Sequence, residues 1–126
     1  MTQFLLDTNV VLWLSEDNPR INQIRPLLLQ EDTQVFISAV SWWEIAIKIR
    51  IGKLRLDLSR LLSLAKKHGY SELPMTSDNI KVYLKLPILH KDPFDHMLLA
   101  QAIASPMRFI TGDSKLAEYS SLVMPI

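Results

Sequence analysis

The sequence predicts an α/β fold: a mostly parallel sheet covered by helices on both faces. Two observations carry this. Short apolar runs at 3–7, 34–37, 72–75 and 108–110 alternate with segments whose apolar residues recur at helical spacing. Strands joined in this way need crossover connections, which bury a parallel sheet between helical layers. The second observation is where the acids fall. Asp7 closes the run FLLD, Glu44 interrupts SAVSWWEIAIK, Asp95 lies in KDPFDHMLLAQA, and Asp113 follows RFIT. A carboxylate at the exit of a buried strand has no packing purpose. In folds of this class ligand sites lie beyond the carboxyl ends of the strands.

The elements follow in order. Residues 3–7 read as the first strand, and Thr8 and Asn9 start a helix over VVLWL. Asp17-Asn18-Pro19 is a turn. Ile21, Ile24, Leu27 and Leu28 form one face of a helix over 20–30, and residues 34–37 are the second strand. Ser38 or Ser41 caps the next helix, and Ser41 with Glu44 fits the reciprocal S-x-x-E cap, which is a purely structural role for Glu44. Leu58, Leu61, Leu62 and Ala65 mark a helix over 58–67 that Gly69 ends. Residues 72–75 are a short strand. Thr76, Ser77 and Asp78 offer caps for a helix to about Leu84, and 87–93 is an irregular loop. A helix begins near Pro93, a residue tolerated in a first turn. Residues 108–110 form the fourth strand, TGD is a helix-start signal, and Leu122–Met124 is an edge strand.

With 126 residues and 48% hydrophobic content, the chain reads as a single domain, 1–126, able to bury roughly two-thirds of its unfolded surface. It has no cysteine, which excludes disulfides and thiolate metal sites. His68, His90 and His96 are too scattered in sequence for a tight zinc cluster. No basic-then-apolar leader and no apolar stretch long enough to span a membrane is present, so a cytoplasmic protein is expected. The net charge of +1 hides a local bias. Lys48, Arg50, Lys53, Arg55, Arg60, Lys66 and Lys67 stand against the one acid Asp57 over residues 48–67. That run is either a solvated face or a phosphate-contacting surface.

Carboxylates gathered in one pocket repel each other, so a hard divalent cation with oxygen ligands is the natural occupant. Magnesium or manganese fits, and an acidic centre beside a basic flank suits a phosphodiester substrate. Thr8, Asn9, Ser38 and Thr111 are secondary candidates beside the acids, with turn and cap duties as the alternative. His96 either contacts substrate or packs. Trp42 and Trp43 stack on bases or serve a core or interface. Asp57, Asp78 and Asp92 read as caps or local charge partners.

LLDTNVVLWL, ISAVSWWEIAIKIRIGKL, HKDPFDHMLLAQA and FITGDSKLAEY, taken together, resemble the PIN-domain nucleases, specifically the VapC-like toxins of bacterial toxin–antitoxin pairs. The resemblance spans essentially the whole chain. It implies a PIN-like three-layer α/β/α sandwich and magnesium- or manganese-dependent cleavage of RNA. It maps the family's site acids onto Asp7, Glu44, Asp95 and Asp113, with Asp92 peripheral. Asp7 and Asp95 are then the direct metal ligands, and Asp113 is a ligand or acts through water. Glu44 orients the attacking water or supports a second metal. The resemblance also implies a homodimer and inhibition by a small antitoxin. One departure is His96, where related sequences commonly carry arginine.

Three other functions compete. A non-catalytic RNA-binding regulator would keep the same acidic pocket. A response receiver would need clustered early acids and an aspartate ending the second strand, which are absent. A small phosphatase would need an aspartate pair spaced by one residue, where this chain has Asp7 and Asn9.

Overall fold

The computed structural model describes residues 1–88 and 90–126. The strands are β1 (Thr2–Leu6), β2 (Thr33–Ser38), β3 (Ser71–Leu73), β4 (Arg108–Thr111) and β5 (Val123–Pro125). The helices are α1 (Thr8–Glu16), α2 (Arg25–Leu28), α3 (Ala39–Arg50), α4 (Leu58–Lys67), α5 (Ser77–Lys85) and α6 (Pro93–Ala104). The strands form one sheet in the order β3-β2-β1-β4-β5, and every neighbouring pair is parallel.

Because successive strand residues face opposite sides, the unbroken apolar runs feed two cores. Phe4, Leu6, Val35, Ile37 and Ile110 pack with Val10, Val11, Ile45 and Leu61 on one side. Leu5 and Phe109 pack with Met97, Leu98, Leu116 and Val123 on the other. Each fully buried large side chain contributes roughly 1.5–3 kcal/mol. The result is the expected three-layer α/β/α sandwich. The chain steps outward from β1 to β2 and β3, then returns past β1 to β4 and β5. That reversal opens a crevice between the carboxyl ends of β1 and β4, the place where such sheets bind ligands.

Local departures from the sequence reading have physical causes. The helix expected over 20–30 is broken into a 3-10 turn, Pro19–Gln23, and the short α2. Pro26 lacks an N–H and its ring clashes with the preceding turn, so one helix cannot run through it. Ile21, Ile24 and Leu28 are nonetheless buried as the periodicity required. The 72–75 strand is shifted to Ser71–Leu73, since Pro74 has no N–H to continue the ladder. Gly69 follows the end of α4 with φ +77, a backbone conformation other residues adopt only with strain. TGD starts a 3-10 turn, Ser114–Glu118, with Asp113 as its cap. Asp57 caps α4 and Asp92 caps α6, while Asp78 pairs with Lys81 at 3.8 Å.

Residues 35–49 carry nine large apolar side chains, more than a small domain is expected to cover and so a candidate two-fold contact, but most of that load is internal. Val35, Ile37, Val40 and Ile45 are buried, and Trp43 is the member of the run left mostly exposed. The more open apolar stripe lies on α5, where Ile80 and Leu84 share a face and Leu84 is 83% exposed.

Candidate active site

Four elements deliver the site. Asp7 stands where β1 gives way to α1. Its backbone N–H still reaches the Ile110 carbonyl at 2.9 Å, and its own carbonyl accepts the first helical bond from Val11 at 3.1 Å. Its carboxylate accepts from the Thr8 N–H at 2.7 Å and from the Thr111 hydroxyl at 2.7 Å. Thr111 Oγ1 in turn accepts from the Asp113 N–H at 3.0 Å. One buried hydroxyl at the end of β4 thus holds the two strand-end acids together.

Glu44 corrects the capping-box reading. Ser38 caps α3, accepting from the Val40 N–H at 3.0 Å, and Ser41 accepts from the Thr8 hydroxyl at 2.9 Å. Glu44 therefore lies in the second turn of α3, free of cap duty. It is buried, its Oε2 meets Lys48 Nζ at 3.0 Å, and its Oε1 is enclosed with no hydrogen-bond partner among the described residues. The basic flank was expected beside the acids, but among the described residues Lys48 is the one member of it ion-paired to a candidate site acid. Arg55, Arg60 and Lys67 instead line a groove of about 640 Å³ with Ser15 and Glu16, at the end of α1 remote from Asp7.

Asp95 sits in the first turn of α6, fixed there because Asp92 accepts from the N–H groups of Phe94 and Asp95 at 2.9 and 3.3 Å. Gln101 anchors the same helix from below. It accepts from the Ser38 hydroxyl at 2.6 Å and donates to the Pro74 carbonyl at 3.2 Å and to Asn79 at 3.3 Å. Ser38, weighed as a secondary candidate, is thus a structural residue, and Asn9 is exposed.

The charges of these acids act on one another. Burial pushes the Asp95 carboxyl up to about 8, and the charges of Asp7, Asp92, Glu44 and Asp113 add to the effect. Burial pushes Asp7 up to about 6; the hydrogen bonds from Thr111 and Thr8 oppose it, and the charges of Glu44 and Asp92 reinforce it. Like charges packed this closely call for a cation. The donor set fits a hard divalent ion: carboxylate oxygens from four segments, one of them an enclosed oxygen with no partner.

His96 is a packing residue. It is buried, and its Nε2 lies 2.7 Å from the Tyr119 hydroxyl. Burial, then the neighbouring His90, lower its pKa, against Asp92. Trp43 meets Phe94 edge-on at 5.3 Å, while Trp42 packs on the first core. Sequence reasoning missed two residues. Gln101 looked like an ordinary helix position. His90 was set aside with the scattered histidines, yet its ring stacks on His96 at 4.7 Å, and it lies with Asp95 and Asp113. The signal available was its place at the head of HKDPFD.

Comparison with known proteins agrees with this architecture. A curated relative, Ribonuclease VapC22 of Mycobacterium tuberculosis, is 27% identical over 123 residues, covering 94% of this chain and 93% of that protein. The structure of VapBC2 from Rickettsia felis bound to a DNA fragment from their promoter superposes with a TM-score of 0.79 at 16% identity, covering 98% of each chain. A toxin–antitoxin complex from Klebsiella pneumoniae gives a TM-score of 0.70 at 19% identity, covering 95% of this chain and 94% of that one. At such identities the likeness is one of fold. The profile of the family described as PIN domain matches residues 4–122, and the chain belongs to that family.

Proposed function

We propose that the chain is a magnesium- or manganese-dependent endoribonuclease, the toxin of a toxin–antitoxin pair. The observation that carries this reading is the half-buried Asp95, whose carboxyl is raised to about 8 amid four other acids at the carboxyl edge of the sheet. The likeness to a ribonuclease of the same length supports the choice of RNA.

In this reading Asp7, Asp95 and Asp113 hold the ion, with Glu44 beside them. The bound ion would acidify a water and offset charge on the phosphoryl oxygens. Glu44, through its unpartnered Oε1, accepts a hydrogen bond from the attacking water and aims it at phosphorus. Lys48 keeps the other Glu44 oxygen occupied and so fixes that aim. Thr111 sets the spacing of Asp7 and Asp113. Water adds to phosphorus, the bond to the leaving oxygen breaks, and that oxygen takes a proton. The test is incubation with cellular RNA, single-stranded DNA and a phosphomonoester in the presence of magnesium or manganese. Cutting of RNA alone is expected. Release of phosphate from the monoester without RNA cleavage would overturn the reading.

We place the RNA path from the acids toward the groove of Arg55, Arg60 and Lys67, which lies at the far end of α1 from Asp7. Changing those three to glutamine leaves Lys48 and its Glu44 contact intact. RNA affinity should then fall, and the salt slope should shallow by about 0.7 for each lost phosphate contact. Binding isotherms at several salt concentrations without divalent metal read both. An unchanged slope would put the RNA elsewhere.

A second copy of the chain and a small inhibitory protein are the proposed partners. The structural neighbours are toxin–antitoxin complexes, which supports the second. For the first, α5 offers Ile80 and Leu84 on one face, an exposed apolar patch of the kind that becomes a two-fold contact. The double change Ile80→Glu and Leu84→Glu should convert a dimer to a monomer in light scattering. A dimer that survives both changes would move the contact off α5.

A further inference from the structure

We propose that His90 is a nitrogen ligand of the metal bound by Asp95 and Asp113, so that the centre has mixed nitrogen and oxygen ligands and prefers manganese to magnesium. This rests on the metal-centre reading above and adds to it a ligand that an all-carboxylate site lacks.

Three observations meet at this residue. One ring nitrogen of His90 and one carboxylate oxygen each from Asp95 and Asp113 lie within 4.8 Å of one another, close enough to share one ion after small side-chain adjustments. His90 Nε2 is enclosed and has no hydrogen-bond partner among the described residues. Among the described residues its Nδ1 has only a long contact, 3.4 Å, from the Asp92 N–H, which is given up when the ring proton moves to Nδ1 and leaves the Nε2 lone pair for the ion. A buried polar atom without a partner costs free energy in the folded state. An imidazole presenting a lone pair beside two carboxylates is completed by a divalent cation, which satisfies all three groups together.

The ring is also held in place. It stacks on His96 at 4.7 Å with an interplanar angle of 25°, and it meets Tyr119 edge-on at 5.9 Å. His96 is itself fixed by the 2.7 Å contact to Tyr119. Ligating histidines need such support, because a metal bond demands a set ring orientation. The aromatic group around residues 90, 96 and 119 thereby acquires a purpose: it positions one ring for the ion. Magnesium is held by carboxylates and water, while manganese, at the weak end of the divalent transition series and also at home among oxygens, still accepts an imidazole nitrogen more readily than magnesium does. Adding His90 therefore strengthens manganese binding more than magnesium binding.

The test uses the full chain, stripped of metal and titrated with manganese alone, then with magnesium in competition. Pulsed electron paramagnetic resonance of the manganese complex should show a directly bonded ¹⁴N, replaced by ¹⁵N when the histidines are ¹⁵N-labelled. The coupling should vanish in His90→Ala and His90→Gln. Both variants should lose about tenfold in manganese affinity and less than about twofold in magnesium affinity. The wild-type spectrum stands on its own, whatever the stability of the variants. Manganese bound with no nitrogen coupling, or an unchanged preference in both variants, would overturn the assignment of His90 alone. Failure of the wild-type chain to bind manganese at all would overturn the metal centre and this proposal with it.

Discussion

Asp95→Asn should lower RNA cleavage by about three orders of magnitude or more, and it should make the metal-free protein more stable. Both effects have the same cause. Asp95 is half-buried amid Asp7, Asp92, Glu44 and Asp113, and its carboxyl is raised to about 8. Asparagine keeps the shape of the protonated acid, spares the metal-free fold the cost of holding that proton at neutral pH, and removes an ion-binding oxygen. Losing several kcal/mol of transition-state stabilisation costs about tenfold in rate per 1.4 kcal/mol. Meanwhile the metal-free protein no longer has to take up a proton on folding at neutral pH. The gain at neutral pH is on the order of 1–2 kcal/mol, well under what the full shift implies, because Asp95 is partly exposed and solvent screens it. Single-turnover cleavage and thermal melts measure the two. Asp92→Asn is the matched control, since asparagine caps a helix about as well as aspartate and the α6 cap is kept. A folded Asp95→Asn protein that cleaves at the wild-type rate would remove Asp95 from the site.

The second large effect is on stability and its dependence on pH. The folded pKa of Asp95, about 8, and of Asp7, about 6, both lie above the ordinary 3.8. Between about pH 4 and 8 the native state therefore holds protons that the unfolded chain has released. Their contribution to metal-free stability then falls as pH rises through that window, against a smaller opposite one from His96, whose pKa is lowered. A divalent ion reverses the trend, since it replaces those protons and is bound more tightly as they leave. Saturating manganese should raise the melting temperature by several degrees at pH 8 and by little at pH 5, with proton release on binding near pH 7. Melts across the pH range with and without manganese, together with calorimetry in two buffers of different ionisation enthalpy, measure both. Metal-free stability that rises steadily from pH 5 to 8 would contradict the site electrostatics.

How much of this was legible in the sequence depends on the kind of signal. Asp7 and Asp113 were readable because each ends an apolar run that must be a buried strand, and topology brings strand ends together. Glu44 was readable as an acid out of place, but its local pattern pointed to a cap that Ser38 in fact supplies. A capping motif is local, whereas the choice of first helical residue depends on where β2 ends. The helix over 58–67 was readable from its periodicity and α1, α3, α5 and α6 from their start signals, while Pro26 breaks the one expected over 20–30. His90 was passed over because the histidines were weighed only as a zinc cluster; its place five residues before Asp95 was the signal in the sequence, and of its neighbours Asp113 is the one brought near by tertiary structure. Gln101 was hidden because its contacts to Ser38, Pro74 and Asn79 join three segments distant in sequence. The basic flank was readable as charge; of its members Lys48 meets a site acid, and Arg55, Arg60 and Lys67 line a groove at the far end of α1.

The most direct measurement of the central claim is cleavage of cellular RNA by the chain after exhaustive chelation, followed by stepwise return of manganese or magnesium. The account predicts no cutting after chelation, recovery that saturates with added ion, and no recovery in Asp95→Asn. Full cleavage by the metal-stripped chain would contradict it.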